Sequence, residues 1–272
     1  MCGLAGVLLC PGERTVEQWQ RLREAFTQNL VSNEERGREA AGVALVRRDG
    51  TYELFKEPVR ASELVRAQGY QRIMSLLDGE TVSLLGHARL PTKGSPWNNT
   101  NNHPLMVGHI VGVHNGMIFN DDELFGTFGF PRLGEVDSEV LFWLLNSVHP
   151  LNNDGNYLSL VGRRMEMVQG TFALMAVDLR RPTALVVVRG MMPLCLHYEK
   201  SLNALFFSSR YVFLRKLFGD AVMTEFVEPQ QVSYFDAGHL LERQDHPFCS
   251  VKFALGSWRR RIEEERTEGS RV

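Results

Sequence analysis

The sequence predicts an α+β fold in which sheets of antiparallel hairpins are covered by a few helices. Short apolar runs separated by turn residues recur along the chain, as expected for hairpin strands. Fewer stretches show the three- and four-residue apolar spacing of amphipathic helices. The chain has 272 residues, of which 44% are hydrophobic, so it can bury a sizeable core.

The first third of the chain alternates predicted strands with predicted helices. Thr15 and Gln18 have the spacing of a capping box, and apolar residues then recur at helical spacing as far as Leu30. The pair Asp49-Gly50 predicts a tight hairpin turn. The predicted elements are a strand at 3–10, a helix through 16–30, a hairpin of 41–47 with 51–56, a helix at 62–77 and a strand at 81–89.

The remainder of the chain is richer in hairpins. A polar loop from Pro91 to Asn102 lies between strands, which is typical of a loop that carries a site. Further predicted elements are strands at 107–114 and 117–119 around an Asn115-Gly116 turn, helices at 137–148 and 157–168, hairpins of 171–179 with 183–189 and of 193–198 with 204–208, and a pair of strands within 230–243. Residues 2–256 are expected to form one domain, and the charged tail at 257–272 to be a frayed helix or disordered.

Composition and charge exclude several classes of function. The net charge is −2 and no apolar run is long enough for a membrane span, so neither nucleic acid nor a membrane is an expected partner. The short apolar N-terminus lacks a preceding positive charge, and none of the four cysteines forms a Cys-x-x-Cys pair. A reducing, cytoplasmic location is expected, without a cofactor. No metal is expected either, because His103, His109 and His114 lack a helical ligand spacing.

Cys2 is the first candidate catalytic residue. A single cysteine is usually a small buried apolar residue, and that interpretation stays open. The alternative is that removal of Met1 gives Cys2 a free α-amine, which would serve as its own base. The reference pKa values of about 8 for such an amine and about 8.5 for a thiol are close enough for proton transfer between them.

Three further positions have both an ordinary and a functional interpretation. Asn115 and Gly116 form either a simple hairpin turn or a pair of donors for an oxyanion. Arg89 ends an apolar strand, either as a surface charge or as a guanidinium that grips a carboxylate. Asp137 precedes an apolar helical stretch, either as a helix cap or as a carboxylate for a substrate ammonium.

Seven short motifs, taken together and in order, resemble the class II glutamine amidotransferases. They are CGLAG at 2–6, RGREAAG at 36–42, GHARLPT at 86–92, NHP at 102–104, VHNG at 113–116, VDSE at 136–139 and GTFAL at 170–174. The chain is similar to the glutaminase domains of glucosamine-6-phosphate synthase and of glutamine phosphoribosylpyrophosphate amidotransferase. The asparagine synthetase type fits less well, because it has FNGE where this chain has HNGM.

The resemblance implies the four-layer αββα sandwich of the Ntn hydrolases and a role for each matching residue. Cys2 would form a γ-glutamyl thioester, its α-amine would carry the proton, and Asn115 with Gly116 would hold the oxyanion. The residues implied in glutamine binding are Arg89 for the α-carboxylate, Asp137 for the α-ammonium, and Thr92 and His103 for the pocket wall. Leu90 and Lys93 depart from the family pattern, which often has an aromatic residue and a histidine there.

The function expected from this resemblance is that of a stand-alone glutaminase subunit. It would hydrolyse L-glutamine to glutamate and ammonia and pass the ammonia to a separate acceptor synthase, since neither an isomerase nor a phosphoribosyltransferase domain follows the matching region. One alternative is an Ntn amidohydrolase for another amide, against which Arg89 and Asp137 argue. Another is a non-catalytic glutamine-sensing or scaffold subunit, which would retain Met1.

Overall fold

A computed structural model describes residues 1–151, 156–219, 225–244 and 246–255. The predicted tail at 257–272 lies outside these residues. The strands are β1 (Gly3–Leu9), β2 (Ala40–Arg47), β3 (Tyr52–Glu57), β4 (Thr81–Arg89), β5 (Leu105–Val107), β6 (Ile110–Ile118), β7 (Gly170–Asp178), β8 (Ala184–Arg189), β9 (Cys195–Glu199), β10 (Ala204–Ser208), β11 (Glu225–Phe226), β12 (Gln231–Asp236) and β13 (Cys249–Lys252). The helices are α1 (Val16–Ser32), α2 (Ala61–Leu64), α3 (Gln68–Ser75), α4 (Asp121–Phe128), α5 (Ser138–Asn146), α6 (Tyr157–Met165), α7 (Tyr211–Phe218) and α8 (Leu240–Arg243).

The strands form two antiparallel sheets. The seven-stranded sheet has the order β11-β9-β10-β1-β4-β2-β3, and the six-stranded sheet has the order β13-β12-β8-β7-β6-β5. Most neighbours in each sheet are joined by long ladders; β6 and β7, for example, pair from Ile110 opposite Asp178 to Ile118 opposite Gly170. The predicted hairpins β2–β3, β7–β8 and β9–β10 are confirmed.

Three apolar layers hold the sheets and helices together. The layer between the sheets contains Leu4, Val113 and Met175 and draws almost entirely on strand residues. A second layer packs α1, α3 and α7 against the outer face of the seven-stranded sheet. A third packs α4, α5 and α6 against the outer face of the six-stranded sheet. The molecule is therefore a helix–sheet–sheet–helix sandwich, which confirms the predicted fold.

Helix α1 begins where the sequence predicts. The Thr15 hydroxyl accepts a hydrogen bond from the Gln18 backbone N–H at 3.2 Å, and the Gln18 side chain accepts one from the Thr15 N–H at 2.9 Å. This reciprocal capping box satisfies two backbone donors at the helix start. The apolar stripe beyond it, including Phe26 and Leu30, is buried against the sheet.

The predicted Asn115-Gly116 turn is wrong, because both residues lie inside β6 and pair with β7. Gly116 has a φ of +139°, and a side chain there would collide with the backbone carbonyl of Thr171. The glycine is thus required by a close approach of two strands, a use of glycine that a turn signal does not distinguish. Nine paired positions outweigh the local preference of two residues for a turn.

Two other element predictions differ from the structure. The helix predicted at 62–77 is divided into α2 and α3. In the segment 230–243, where two strands were predicted, only β12 is a strand. The second half of the segment forms a 3₁₀ turn and α8. The partners of β12 are β8 and β13, so the strand is satisfied without a local hairpin. None of the helices in the described ranges is both long enough and apolar enough to cross a bilayer.

We predict that Gly112→Ala destabilises the fold, because a methyl group at this position of β6 would overlap the ring of Phe142 on α5. Overpacking of this kind lowers the free energy of unfolding by about 1–3 kcal/mol, measurable by urea denaturation. Gly126→Ala is the matched control. Gly126 lies in α4 with no neighbouring atom within 4 Å of the added methyl, so the same change should stabilise by about 0.5–1 kcal/mol. Equal effects at the two glycines would contradict this packing.

Candidate active site

The register of β1 against β4 brings the first candidate residues together. Gly3 lies opposite Ala88 and Leu4 opposite His87, so Cys2 and Arg89 are neighbours just beyond the ladder. Side chains alternate along a strand, and Leu4 and Leu85 point between the sheets. Cys2 and Arg89 therefore face the space between the sheets at one end of the sandwich.

Strand β6 brings Asn115 to the same end from the other sheet. Val111 and Val113 point between the sheets, so Asn115 does as well. The two sheets meet closely here, because His87 of β4 shares a hydrogen bond of 2.8 Å between its Nε2 and the backbone oxygen of His114.

The Cys2 thiol is nearly buried, with 9% of the residue exposed. Its Sγ lies 3.3 Å from the backbone oxygen and 3.4 Å from the backbone nitrogen of Leu90. Burial raises the pKa of the thiol above its usual value; the Leu90 N–H, the N-terminal ammonium and Arg89 partly offset this, and Asp137 adds to it. The thiol is therefore protonated near neutral pH and needs a base before it can act as a nucleophile.

Asn115 is completely buried, yet its side-chain oxygen and nitrogen make no hydrogen bond to any described residue. A buried amide without partners costs free energy, so it is rare in structural positions and is typical of a group that binds something else. Gly116 follows in the same strand, where only a glycine fits against Thr171.

Arg89 is buried rather than exposed at the strand end. Its Nη1 donates to the side-chain oxygen of Asn102 at 2.7 Å, and its Nη2 donates to the backbone oxygens of Lys93 and Gly94 at 2.8 and 2.9 Å. A guanidinium has five N–H donors, so these bonds to described residues leave two. The group is fixed in one orientation while it retains the capacity to bind a carboxylate.

Asp137 is also buried and does not act as a helix cap. Although it directly precedes α5, its side chain makes no capping bond among the described residues. Its Oδ2 instead accepts a hydrogen bond of 2.7 Å from the backbone N–H of Ile118, at the end of β6. The carboxylate is thereby held beside the six-stranded sheet, within electrostatic range of Cys2 and Arg89.

Comparison with known families accords with this geometry. Residues 87–216 match a family described as the glutamine amidotransferase domain, and this region contains Arg89, Asn115 and Asp137. Residues 87–216 are a glutamine amidotransferase domain. The resemblance found in its motifs is thus confirmed.

Relatives of the amidotransferase domain include synthases and aminotransferases. It is 28% identical to a protein named 7-cyano-7-deazaguanine synthase from Saccharolobus solfataricus, over 77% of this chain and 43% of that protein. It is also 28% identical to glutamine–fructose-6-phosphate aminotransferase (isomerizing) from Staphylococcus aureus, over 75% of this chain and 32% of that protein. The chain thus spans less than half the length of these relatives.

Solved structures share its fold. Glutamine phosphoribosylpyrophosphate amidotransferase from B. subtilis superimposes with a TM-score of 0.67 over 93% of this chain and 49% of that chain, at 18% identity. A glutamine aminotransferase class-II domain protein from Silicibacter pomeroyi superimposes with a TM-score of 0.55 over 93% of this chain and all of that chain, at 14% identity. These similarities establish the fold of the amidotransferase domain.

Thr92 and His103 are less directly joined to Cys2. Thr92 is exposed on the loop after β4. His103 is buried and stacks on His87, with ring centroids 4.4 Å apart. No contact between described residues links either side chain to the thiol, so their place in the glutamine pocket stays a prediction.

The loop after β4 is fixed by ion pairs that the sequence did not reveal. Lys93 Nζ lies 2.5 Å from Asp121 Oδ2 and 3.4 Å from Asp122 Oδ1. Arg132 contacts the same two carboxylates, at 3.3 and 2.5 Å. Lys93, which departs from the histidine common in the family, therefore ties this loop to α4.

The sequence did not predict that His87, His103 and His114 are buried together. Burial lowers the pKa of His87 to about 3 and that of His114 to about 4, and it lowers the pKa of His103 well below its usual value. All three side chains are therefore neutral at physiological pH. His109 lies apart from them, exposed at the β5–β6 turn, where its backbone N–H donates to Asn146.

We predict that Asn115→Ala separates activity from stability. Loss of one oxyanion donor should lower kcat for glutamine hydrolysis by about 10²–10³. The free energy of unfolding should change little, because the lost amide has no partner within the described protein. Asn101→Ala is the contrasting control: this side chain bonds to Ser95 and twice to Glu135, so its loss should destabilise by about 1–3 kcal/mol. A stability loss at Asn115 as large as at Asn101 would contradict an unpaired amide.

We predict that the fold loses stability in acid through these histidines. Their pKa values are depressed in the folded state, so between pH 6.5 and about 4 the unfolded chain binds protons that the folded protein does not. The free energy of unfolding should fall as pH falls through this window, by up to about 1.4 kcal/mol per pH unit for each histidine. Urea denaturation of His103→Phe across this range should show a shallower pH slope than that of the wild type. A slope that His103→Phe does not alter would contradict the prediction.

Proposed function

We propose that this amidotransferase domain hydrolyses L-glutamine to glutamate and ammonia through a thioester on Cys2, and that the ammonia passes to a separate acceptor synthase. The observation that carries the proposal is the arrangement around the thiol: a buried Cys2 within range of both Arg89 and Asp137. Together with the Asn115 amide, which has no hydrogen-bond partner among the described residues, it would supply a nucleophile, two opposite charges and an oxyanion donor.

The two charges fit the head group of free glutamine. An α-amino acid presents a carboxylate and an ammonium, and the remaining donors of Arg89 would bind the carboxylate while Asp137 would bind the ammonium. The side-chain amide beyond the head group would then reach Cys2 and Asn115. A substrate without an amino-acid head would leave the remaining donors of Arg89 and the carboxylate of Asp137 without the opposite charges that the head group supplies.

The reaction would begin after removal of Met1, which frees the α-amine of Cys2. The amine takes the thiol proton, and the thiolate attacks the amide carbon to form a tetrahedral oxyanion held by Asn115 and Gly116. The carbon–nitrogen bond breaks as the ammonium returns its proton to the leaving group, which departs as ammonia. Water, deprotonated by the same amine, then attacks the thioester, and glutamate leaves with regeneration of the thiol.

The acceptor is proposed to lie outside this domain. Relatives of which the chain covers 43% and 32% are named as a synthase and an aminotransferase, so the matched region accounts for the minor part of each. The amidotransferase domain would supply nitrogen to a chemistry that another domain or another chain performs.

The proposal predicts that Cys2→Ala abolishes glutamine hydrolysis, with a loss of at least about 10³-fold in kcat, measured as glutamate release. Cys10→Ala is the matched control; this half-buried thiol donates to the neighbouring Pro11 carbonyl and should be dispensable. Mass spectrometry of active protein should find Cys2 at the N-terminus. Retained Met1 in fully active protein would contradict the mechanism, and faster turnover of simple amides than of glutamine would identify a different amidohydrolase.

A further inference from the structure

Lys56, near the end of the edge strand β3, forms hydrogen bonds to both ends of the segment 99–104. Its ammonium donates to the backbone oxygen of Asn102 at 2.5 Å and to that of Pro104 at 3.1 Å. Its own backbone oxygen accepts a hydrogen bond of 2.8 Å from the side chain of Asn99. One residue of the seven-stranded sheet thus fixes the path of the segment that leads into β5 of the other sheet.

Asn102 connects Lys56 to Arg89, because it is hydrogen-bonded to both. The residue is completely buried, and while its backbone oxygen binds Lys56, its side-chain oxygen accepts the 2.7 Å hydrogen bond from Arg89 Nη1. Its side-chain nitrogen donates to Pro96 at 2.7 Å and to Asn99 at 3.0 Å, so the amide cannot rotate without loss of several bonds. The Lys56 ammonium is therefore one of the groups that hold Asn102, the acceptor that orients the Arg89 guanidinium.

The arrangement has an electrostatic cost. Burial, and secondarily the charge of Arg89, lower the pKa of Lys56 to about 8. An uncharged side chain of similar length would avoid the repulsion between two cations and the desolvation of the ammonium. Packing alone therefore does not explain a lysine at this position. Its hydrogen bonds to the segment 99–104 do explain it.

We propose that Lys56 is a positioning residue for glutamine recognition: through Asn102 it orients the Arg89 guanidinium toward the α-carboxylate of the substrate. This inference rests on the proposed function, because it takes Arg89 as the carboxylate-binding group. The hydrogen bonds of Lys56 among the described residues go to the segment 99–104 and not to the thiol, so it would act on the affinity for the head group rather than on the chemistry at the amide.

The test compares the wild type with Lys56→Met, which keeps the length of the side chain and removes its donors. The expected result is a rise in KM for glutamine of about tenfold with kcat changed by less than about twofold, since a bond to a charged group is lost while the nucleophile is untouched. Lys56→Arg, which keeps the charge and can donate to two carbonyls, should remain within about threefold of the wild type. Lys200→Met, at an exposed position between β9 and β10, is the matched control and should have no effect.

Alkylation of Cys2 provides a second readout that separates recognition from general damage. The diazoketone analogue of L-glutamine carries the α-carboxylate, whereas iodoacetamide does not. Lys56→Met should raise the half-saturating concentration of the analogue by about tenfold and leave the iodoacetamide rate at Cys2 unchanged. The label is mapped by mass spectrometry, because Cys249 is exposed and can react as well.

The outcomes distinguish this inference from the function on which it rests. If the analogue labels Cys2 of wild type and Lys56→Met equally, the positioning role is wrong and the glutaminase proposal stands. If both reagents slow together in Lys56→Met, the residue is only structural. If the analogue fails to label Cys2 of the wild type, the proposed function itself is wrong.

Discussion

The pairing of β1 with β4 is the constraint on which the site depends. It aligns Gly3 with Ala88 and so sets Cys2 beside Arg89. Both faces of β1 are buried, with Leu4 in the layer between the sheets and Ala5 in the layer under α1. A slip of one residue would move a larger side chain into the position of Gly3, where the backbone oxygen of Asn33 would lie 2.6 Å from its Cβ, so the close contact at this glycine opposes such a slip.

The N-terminal approach to this strand is equally constrained. A side chain at Gly3 would meet the backbone oxygen and the Cβ of Asn33 at 2.6 Å, so only glycine fits there. The Arg36 Nε donates to the Cys2 backbone oxygen at 2.8 Å, which holds the residue from the other side. A chain terminus is usually mobile, whereas this one is held by sterics and by a charge-assisted hydrogen bond.

Within the site, the charged groups have hydrogen-bond partners in the protein and a neutral amide does not. Arg89 and Asp137 each have partners in the protein, whereas the amide of Asn115 has none within the described residues. An unpaired buried charge costs several kcal/mol, and an unpaired amide costs about 1–3. The group left without a partner is therefore the one whose missing hydrogen bond costs the least free energy. It is also the group that an oxyanion would bind. Preorganisation of this kind avoids reorientation of the donor during the reaction.

The sequence predicted the local elements well because their signals are local. The capping box of α1 and the continuous apolar runs of β1 and β4 depend on neighbours a few residues away. The Asn115-Gly116 turn was predicted wrongly, because the glycine is required by the close approach of Thr171, which lies more than fifty residues further along the chain. The histidine group and the ion pairs of Lys93 likewise join segments that only the folded chain brings together. Candidate residues of the site could be found from motifs, but their hydrogen-bond partners could not.

The two charges proposed to bind the glutamine head group are held by opposite sheets. The packing between the sheets would therefore affect how well the site binds glutamine. Arg89 ends β4 of one sheet, and Asp137 is tied to the end of β6 of the other. The distance between the charges is therefore fixed by how closely the sheets pack. The sheets pack closely here, because a methyl group on Gly6 of β1 would lie 2.8 Å from the sulfur of Met175 on β7. A close-packed interior transmits displacements instead of absorbing them, so side chains far from the thiol help to set the spacing that a zwitterionic head group would have to match.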